Sequence, residues 1–173
     1  MDFSENDLYK TIDFPSEEVL LKEKNSKFFG YAIPVTSEED VKENLERLRK
    51  EHFSARHWCY AYQIGTEKIQ YRANDDGEPN NSAGMPIYGQ IQSFEVTNIL
   101  VVVVRYFGGV KLGVGGLISA YKTAAQMALE NATIIEKTID KHFIISFGYA
   151  HMNKVMRIIK EKNLQIVSQK MEM

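Results

Sequence analysis

The spacing of apolar residues changes several times along the chain, and each change marks a predicted helix or strand. Residues 99–107 are almost wholly apolar, which is typical of a central strand buried on both faces. Residues 57–65 and 69–74 have strand-like patterns, and the turn between them predicts an antiparallel hairpin. Residues 27–35 are rich in aromatic and apolar side chains and predict one more strand.

Helical spacing appears in three other segments. Ser37 and Asp40 form a capping-box pattern at the start of a helix near 38–51. A short helix is predicted after Pro86, and a small-residue face predicts another over about 115–131.

These elements divide the chain into four segments. Residues 1–24 are polar and are predicted to be an irregular lead-in, and 25–131 form the main α+β domain. Residues 132–140 are predicted to be a linker. Residues 141–173 have a β, α, β pattern, with strands predicted at 142–150 and 164–169 and a helix over 153–163. Such a unit is too small to be stable without packing on other structure.

Composition narrows the class of protein. The chain has 173 residues, a net charge of −2 and one cysteine, which excludes an internal disulfide. The N-terminus lacks the apolar segment of a signal peptide, and the apolar run at 99–104 is too short to span a membrane. We therefore expect a cytoplasmic protein that is not bound to a membrane; its oligomeric state is left open.

The charge is unevenly distributed. Residues 141–173 contain 6 Lys/Arg and 2 Asp/Glu, a local balance of +4. A second basic cluster, which includes Arg56 and His57, spans residues 47–57, and we interpret it as a solvated helix face with its exit loop.

A glycine-dense loop follows the buried strand. Glycines permit close backbone approach, and the N-terminus of the next helix carries partial positive charge. An anion site is therefore plausible, with Arg105 and Lys111 adding charge. Its candidate residues are Arg105, Gly108, Gly109, Lys111, Gly113, Gly115 and Gly116. The spacing matches neither common phosphate-binding glycine motif, and a tight structural turn remains an equal alternative.

A second polar loop, residues 75–86, contains Asp75, Asp76 and Glu78. Clustered acids can bind a divalent ion or transfer protons, but Asp-Asp-Gly is also ordinary turn chemistry, which we favour. His57 and Cys59 share one strand face without the further ligands of a zinc site, so Cys59 is predicted to be a packed thiol. No metal or cofactor is predicted.

Four segments together resemble the YigZ/IMPACT family. They are "KNSKFFGYAIPV" (24–35), "HWCYAY" (57–62), "NDDGEPNNSAGMPI" (74–87) and "VVRYFGGVKLGVGGLISAY" (103–121). The resemblance covers roughly residues 20–131.

The resemblance implies an α+β, two-layer domain like the second domain of a small-subunit ribosomal protein and domain four of elongation factor G. GHMP kinases share that fold. Family members commonly add a ferredoxin-like C-terminal domain, and residues 141–173 resemble its first βαβ only. The RWD module of eukaryotic members is absent, so its partner is not carried over.

The same resemblance marks positions in both loops. The residues matching the family pattern are His57, Asp75, Asp76, Gly77, Glu78, Pro79, Gly84, Arg105, Phe107, Gly108, Gly109, Lys111, Gly113, Gly115 and Gly116. In the polar loop over residues 75–86, a hydroxyl role would fall to Ser82. Because each loop follows a strand of one small sheet, we expect the two loops to meet on one surface.

Three functions remain open. The favoured hypothesis is a translation-associated regulatory protein that binds RNA or the ribosome through Arg105, Lys111 and the basic tail. The second is an enzyme that binds phosphate or a nucleotide through the glycine loop. The third is a protein–protein interaction module with a regulatory partner. The family has no assigned reaction, so a binding protein is favoured over an enzyme.

Overall fold

Seven strands and four helices are found in the computed structural model, which describes residues 7–171. The strands are β1 (Leu8–Ile12), β2 (Val19–Glu23), β3 (Ser26–Pro34), β4 (His57–Ile64), β5 (Gln70–Asn74), β6 (Ile99–Tyr106) and β7 (Ile134–Thr138). The helices are α1 (Glu38–Glu51), α2 (Gly84–Ser93), α3 (Gly113–Asn131) and α4 (Met152–Glu161). The predicted α+β class is confirmed. The chain divides into two units, with the boundary between Ile139 and Asp140.

The main sheet has the order β2-β3-β6-β4-β5, with antiparallel pairing throughout. Strand β6 lies at its centre, between β3 and β4, as its apolar sequence predicts. Val102 is opposite Tyr31 on one side and Tyr60 on the other. The predicted hairpin is also confirmed, because β4 pairs with β5.

Both faces of the main sheet are covered, which explains why β6 is apolar at every position up to Val104. Val101 and Val103 pack in one core with residues of α2 and α3. Val102 and Val104 pack in a second core with Leu48 of α1. The resemblance implied two layers; α1 adds a third on the opposite face.

Helix α1 begins as its capping pattern predicts. The Asp40 backbone N–H donates to the Ser37 hydroxyl at 3.1 Å, and the Asp40 carboxylate accepts from the Ser37 N–H at 3.2 Å. The Thr36 N–H also donates to that carboxylate at 2.9 Å. The Thr36 bond, together with those from Ser37, holds the pKa of the Asp40 carboxyl below its usual value.

A two-stranded sheet, β1 with β7, corrects two predictions. Its register places Leu8 opposite Thr138 and Ile12 opposite Ile134. The prediction of an irregular lead-in over 1–24 is therefore wrong at β1, and the prediction of a linker over 132–140 is wrong at β7. The lead-in prediction is also wrong at β2, which is an edge strand of the main sheet. Residues 1–6 lie outside the described part of the chain. Each strand of this pair is short and partly polar, and its partner is more than a hundred residues away, so neither segment shows a strand pattern by itself.

The second unit contains one turn of 3-10 helix at Tyr149–His151, followed by α4. The helix predicted over 153–163 is thus present. The strands predicted at 142–150 and 164–169 are not formed within residues 140–171. Alternating apolar residues favour a strand only where a partner edge accepts their backbone hydrogen bonds, and Phe143 and Ile144 are exposed here.

Among the helices of residues 7–171, none has the length and apolar character of a membrane-spanning segment.

Gly108 and Gly115 differ sharply in the space around them. A Cβ at Gly108 would lie 2.0 Å from the backbone carbon of Asn25, whereas a Cβ at Gly115 would have no atom within 4 Å. A glycine is therefore required at position 108, where the chain just after β6 packs against the turn before β3. Position 115 has no such requirement.

We expect Gly108→Ala to lower the free energy of unfolding by about 1–3 kcal/mol, because the new methyl group overlaps backbone that must shift. The matched Gly115→Ala variant should be neutral or stabilising by up to about 1 kcal/mol, since alanine favours helix. Urea denaturation of both variants measures the difference, and equal stabilities would contradict the packing argument.

Candidate functional site

Two strands place the central side chains of the site. In the β4–β6 pair, His57 is directly opposite Arg105, and both lie on the sheet face that packs against α3. The acid loop (residues 75–83) follows β5, and the glycine loop (residues 107–112) follows β6. The sheet therefore brings the ends of both loops close to this pair.

A buried ion pair lies at the centre of the site. Arg105 Nη1 donates to Glu78 Oε1 at 2.6 Å, and the two side chains are 6% and 4% exposed. The Tyr121 hydroxyl donates to the same oxygen at 2.7 Å. Arg105 Nη2 also lies 3.4 Å from Ser26 Oγ, which accepts from the Gly108 N–H at 3.2 Å. The network links the acid loop, α3, β3 and the glycine loop.

The Arg105 guanidinium is also held by two aromatic rings. Its carbon lies 5.5 Å from the ring centre of Phe28 and 5.6 Å from that of Phe107. Its Nε–H has no hydrogen-bond partner among the described residues. Arg105 is thus a fixed cation whose charge is engaged by Glu78.

His57 has an orienting group that the sequence did not reveal. Its Nδ1 lies 2.8 Å from the backbone oxygen of Asp76. A carbonyl oxygen only accepts, so Nδ1 carries the hydrogen and a neutral His57 presents Nε2 as an acceptor. Nε2 lies 3.8 Å from Glu78 Oε1.

The two aspartates of the acid loop hold backbone rather than a ligand. Asp75 Oδ1 accepts from the N–H groups of Ala83 at 3.1 Å and Gly84 at 2.8 Å. These bonds cap α2, which has no side-chain cap of its own. Asp76 Oδ2 accepts from the Trp58 N–H at 2.7 Å. Both carboxylates therefore stabilise the turn, which agrees with the turn interpretation favoured from the sequence.

Two further candidates are buried and engaged. The Ser82 hydroxyl donates to the Pro79 oxygen at 2.6 Å, and Cys59 Sγ donates to the Asp75 oxygen at 3.0 Å. Burial raises the pKa of the Cys59 thiol well above its usual value, which suits a packed thiol and not a nucleophile. Within residues 7–171, no group of three or more His, Cys, Asp or Glu side chains is arranged to hold a metal ion.

A cleft of about 400 Å³ opens where the two loops approach each other. It is lined by Arg56, His57, Glu78, Pro79, Arg105, Phe107, Lys111, Leu112, Gly113, Val114 and Leu117. The cleft thus gathers His57, Glu78, Arg105, Lys111 and Gly113 from the predicted site. The candidates outside its lining are Asp75, Asp76, Ser82, Gly108, Gly109, Gly115 and Gly116.

The N-terminus of α3 forms part of this cleft. The cap position, Leu112, supplies no side-chain hydrogen bond, and the first turn contains no acidic residue. Gly113 has φ +75°, a conformation that glycine adopts at little cost. Among residues 7–171, no side chain caps the first backbone N–H groups of α3, which lie next to Lys111.

Sequence analysis missed two contributors. Arg56, assigned to a solvated exit loop, lines the cleft and places its guanidinium carbon 5.6 Å from the Phe107 ring centre. Tyr121 lies within the small-residue helix predicted over 115–131, and helical spacing alone gives it no role in the site. A tyrosine among the alanines of a buried helix face is a signal, because a buried hydroxyl needs a hydrogen-bond partner.

Comparison with known proteins identifies the family. The model of the Impact N-terminal domain matches residues 24–129. This chain belongs to the IMPACT family. The IMPACT family member YvyE of Bacillus subtilis is 33% identical, over 88% of this chain and 70% of its own length. YigZ of Escherichia coli is also 33% identical, over 84% of this chain and 72% of its own length.

One solved structure shares the fold of this IMPACT family chain. This crystal structure of a hypothetical protein has a TM-score of 0.75 and 28% identity, and the match covers 96% of this chain and 81% of that one. The structure of the two-domain translational regulator Yih1 has a TM-score of 0.43 and 24% identity, over 76% of this chain and 49% of that one.

Asp75→Asn should lower the free energy of unfolding by about 1–2 kcal/mol, because the amide cannot accept on both sides as the carboxylate does. Asn81 also donates to Asp75, at 2.9 Å, so one orientation of the amide loses that bond and the other loses the α2 cap. Glu46→Gln, on the exposed face of α1, is the control and should change stability by less than about 0.5 kcal/mol. Equal effects in thermal or urea denaturation would contradict the capping role.

Removing either member of the buried ion pair should cost about 3–5 kcal/mol of unfolding free energy, because the other charge is left buried and unpaired. We expect Arg105→Met and Glu78→Gln each to show this loss. The double variant should be more stable than the sum of the two losses implies. Strict additivity in the double-mutant cycle would show that the two charges do not depend on each other.

Proposed function

We propose that this IMPACT family chain is a translation-linked regulatory protein that binds RNA, free or in the ribosome, through the cleft between its two loops. The observation that carries the proposal is the pair of exposed cations at the cleft, Arg56 and Lys111. Neither has an acidic partner within 4.0 Å among the residues that the structure describes.

Exposed cations beside backbone N–H groups that lack a side-chain cap suit phosphate. Each Lys or Arg that contacts a phosphate releases condensed counterions, which supplies much of the affinity for nucleic acid. The start of α3 adds N–H donors and a positive partial charge beside Lys111. The net charge of −2 opposes nucleic-acid binding for the whole chain, but the charge at the cleft is locally positive.

The family resemblance adds support. It implies a main domain like the second domain of a small-subunit ribosomal protein and domain four of elongation factor G. A fold does not by itself imply a function. The excess of basic residues in the tail, 6 against 2, favours the same class of polyanionic partner.

The buried groups of the site favour binding over catalysis. Arg105 and Tyr121 both donate hydrogen bonds to Glu78, and the Asp75 and Asp76 carboxylates accept from backbone N–H groups. What faces the cleft most freely is positive charge and apolar surface. A phosphate- or nucleotide-binding enzyme therefore has less support than an RNA-binding protein.

We expect single-stranded RNA to bind with an affinity that falls steeply as salt rises. The double variant Arg56→Ala/Lys111→Ala should bind RNA more weakly. Its plot of log affinity against log salt concentration should be less steep by about 1.4, because each lost phosphate contact lowers the slope by about 0.7. Fluorescence anisotropy over a salt series, with labelled RNA and then with purified ribosomes, measures both quantities. Arg105 is left intact, because its loss would damage the fold.

The control is Lys42→Ala/Lys68→Ala, which removes the same charge from exposed sites outside the cleft. If the slope of log affinity against log salt concentration changes equally in both double variants, the cleft is not the RNA-binding surface. No binding of the wild-type chain to RNA or ribosomes would overturn the proposal and favour a protein partner.

A further inference from the structure

We propose that the cleft accepts one unpaired base, which stacks on Phe107 and Arg56, so that the chain selects single-stranded over duplex RNA. This inference rests on the proposed function and adds the chemical class of ligand. Charge alone gives no such preference, because single-stranded and duplex RNA both present phosphates.

The shape and lining of the cleft carry the inference. Besides its cations, the cleft is lined by apolar side chains from both loops and α3: Pro79, Phe107, Leu112, Val114 and Leu117. A site for bare phosphate needs charge and donors but no apolar wall. The volume of about 400 Å³ is at the small end of ligand pockets, which suits one nucleotide and not a duplex.

Phe107 is placed to take part in stacking. Its side chain belongs to the glycine loop and remains 41% exposed, although its ring lies beside two guanidinium groups. The buried Arg105 guanidinium lies against the Phe107 ring. The guanidinium of Arg56, an exposed side chain, lies near the same ring. Unpaired bases stack on both aromatic rings and arginine planes, so each of these two adjacent side chains offers a surface for a base.

The sequence does not show this contact between an aromatic ring and a guanidinium group. Phe107 and Arg56 are far apart in the chain and meet only because β4 pairs with β6. A base that is paired and stacked within a duplex cannot enter such a cleft without leaving its stack. Preference for a single strand follows from that exclusion.

The test measures the binding of the full chain to three labelled probes of equal length: a single-stranded RNA, its duplex, and the single strand with abasic sites. We expect wild type to bind the single strand at least about fivefold more tightly than the other two, since one stacked base contributes roughly a factor of five or more. Phe107→Ala should abolish the difference while salt-dependent binding through Lys111 persists, and Phe107→Trp should restore it.

Phe14→Ala, which removes another exposed phenylalanine outside the cleft, is the control and should leave the preference intact. Phe107→Leu retains apolar volume without a π face, so it separates loss of stacking from loss of folding. Equal affinity of wild type for all three probes, or a preference that survives in Phe107→Leu, would overturn the inference while leaving RNA binding in place.

A different result identifies failure of the proposed function instead. If wild type binds none of the three probes, uridine monophosphate is titrated into the chain and followed by NMR. Shifts confined to the cleft and absent in Phe107→Leu would support the base site without RNA binding. No shifts would overturn both proposals.

Discussion

The ion pair between Glu78 and Arg105 is the interaction on which the site depends. It connects a loop that follows β5 to the central strand β6, and Tyr121 connects the same carboxylate to α3. A buried ion pair contributes little to net stability, because desolvation of both charges offsets their attraction. Its effect is to fix geometry: with the pair formed, the acid loop and the glycine loop open onto the same cleft.

This dependence separates the cations of the site into two kinds. Arg105 is buried, paired and held between rings, so its position is fixed and its charge is largely neutralised. Arg56 and Lys111 are exposed and keep their charge available to a ligand. The sequence suggests equal roles for Arg105 and Lys111, because both are basic residues near glycines. Burial distinguishes them, and burial is set by the sheet face on which Arg105 lies.

The elements with a strong local pattern were predicted from the sequence, and those that depend on distant partners were not. The apolar run of β6 and the capping box of α1 each carry their own signal, and both are confirmed. Strands β1 and β7 depend on each other across the whole domain, so neither pattern was sufficient alone. The tail shows the opposite failure, since its apolar segments predict strands that do not form within residues 140–171.

The same distinction applies to the candidate site. Residue type showed that Asp75 and Asp76 are acids, but only the folded turn shows that backbone N–H groups fill their acceptor positions. The glycines, similar in sequence, also differ in the fold. Gly108 has no room for a side chain, whereas Gly113 opens the start of α3 toward the cleft. A structural turn and the proposed anion site are compatible in one loop, because Gly108 packs against the turn before β3 while Gly113 lies at the cleft.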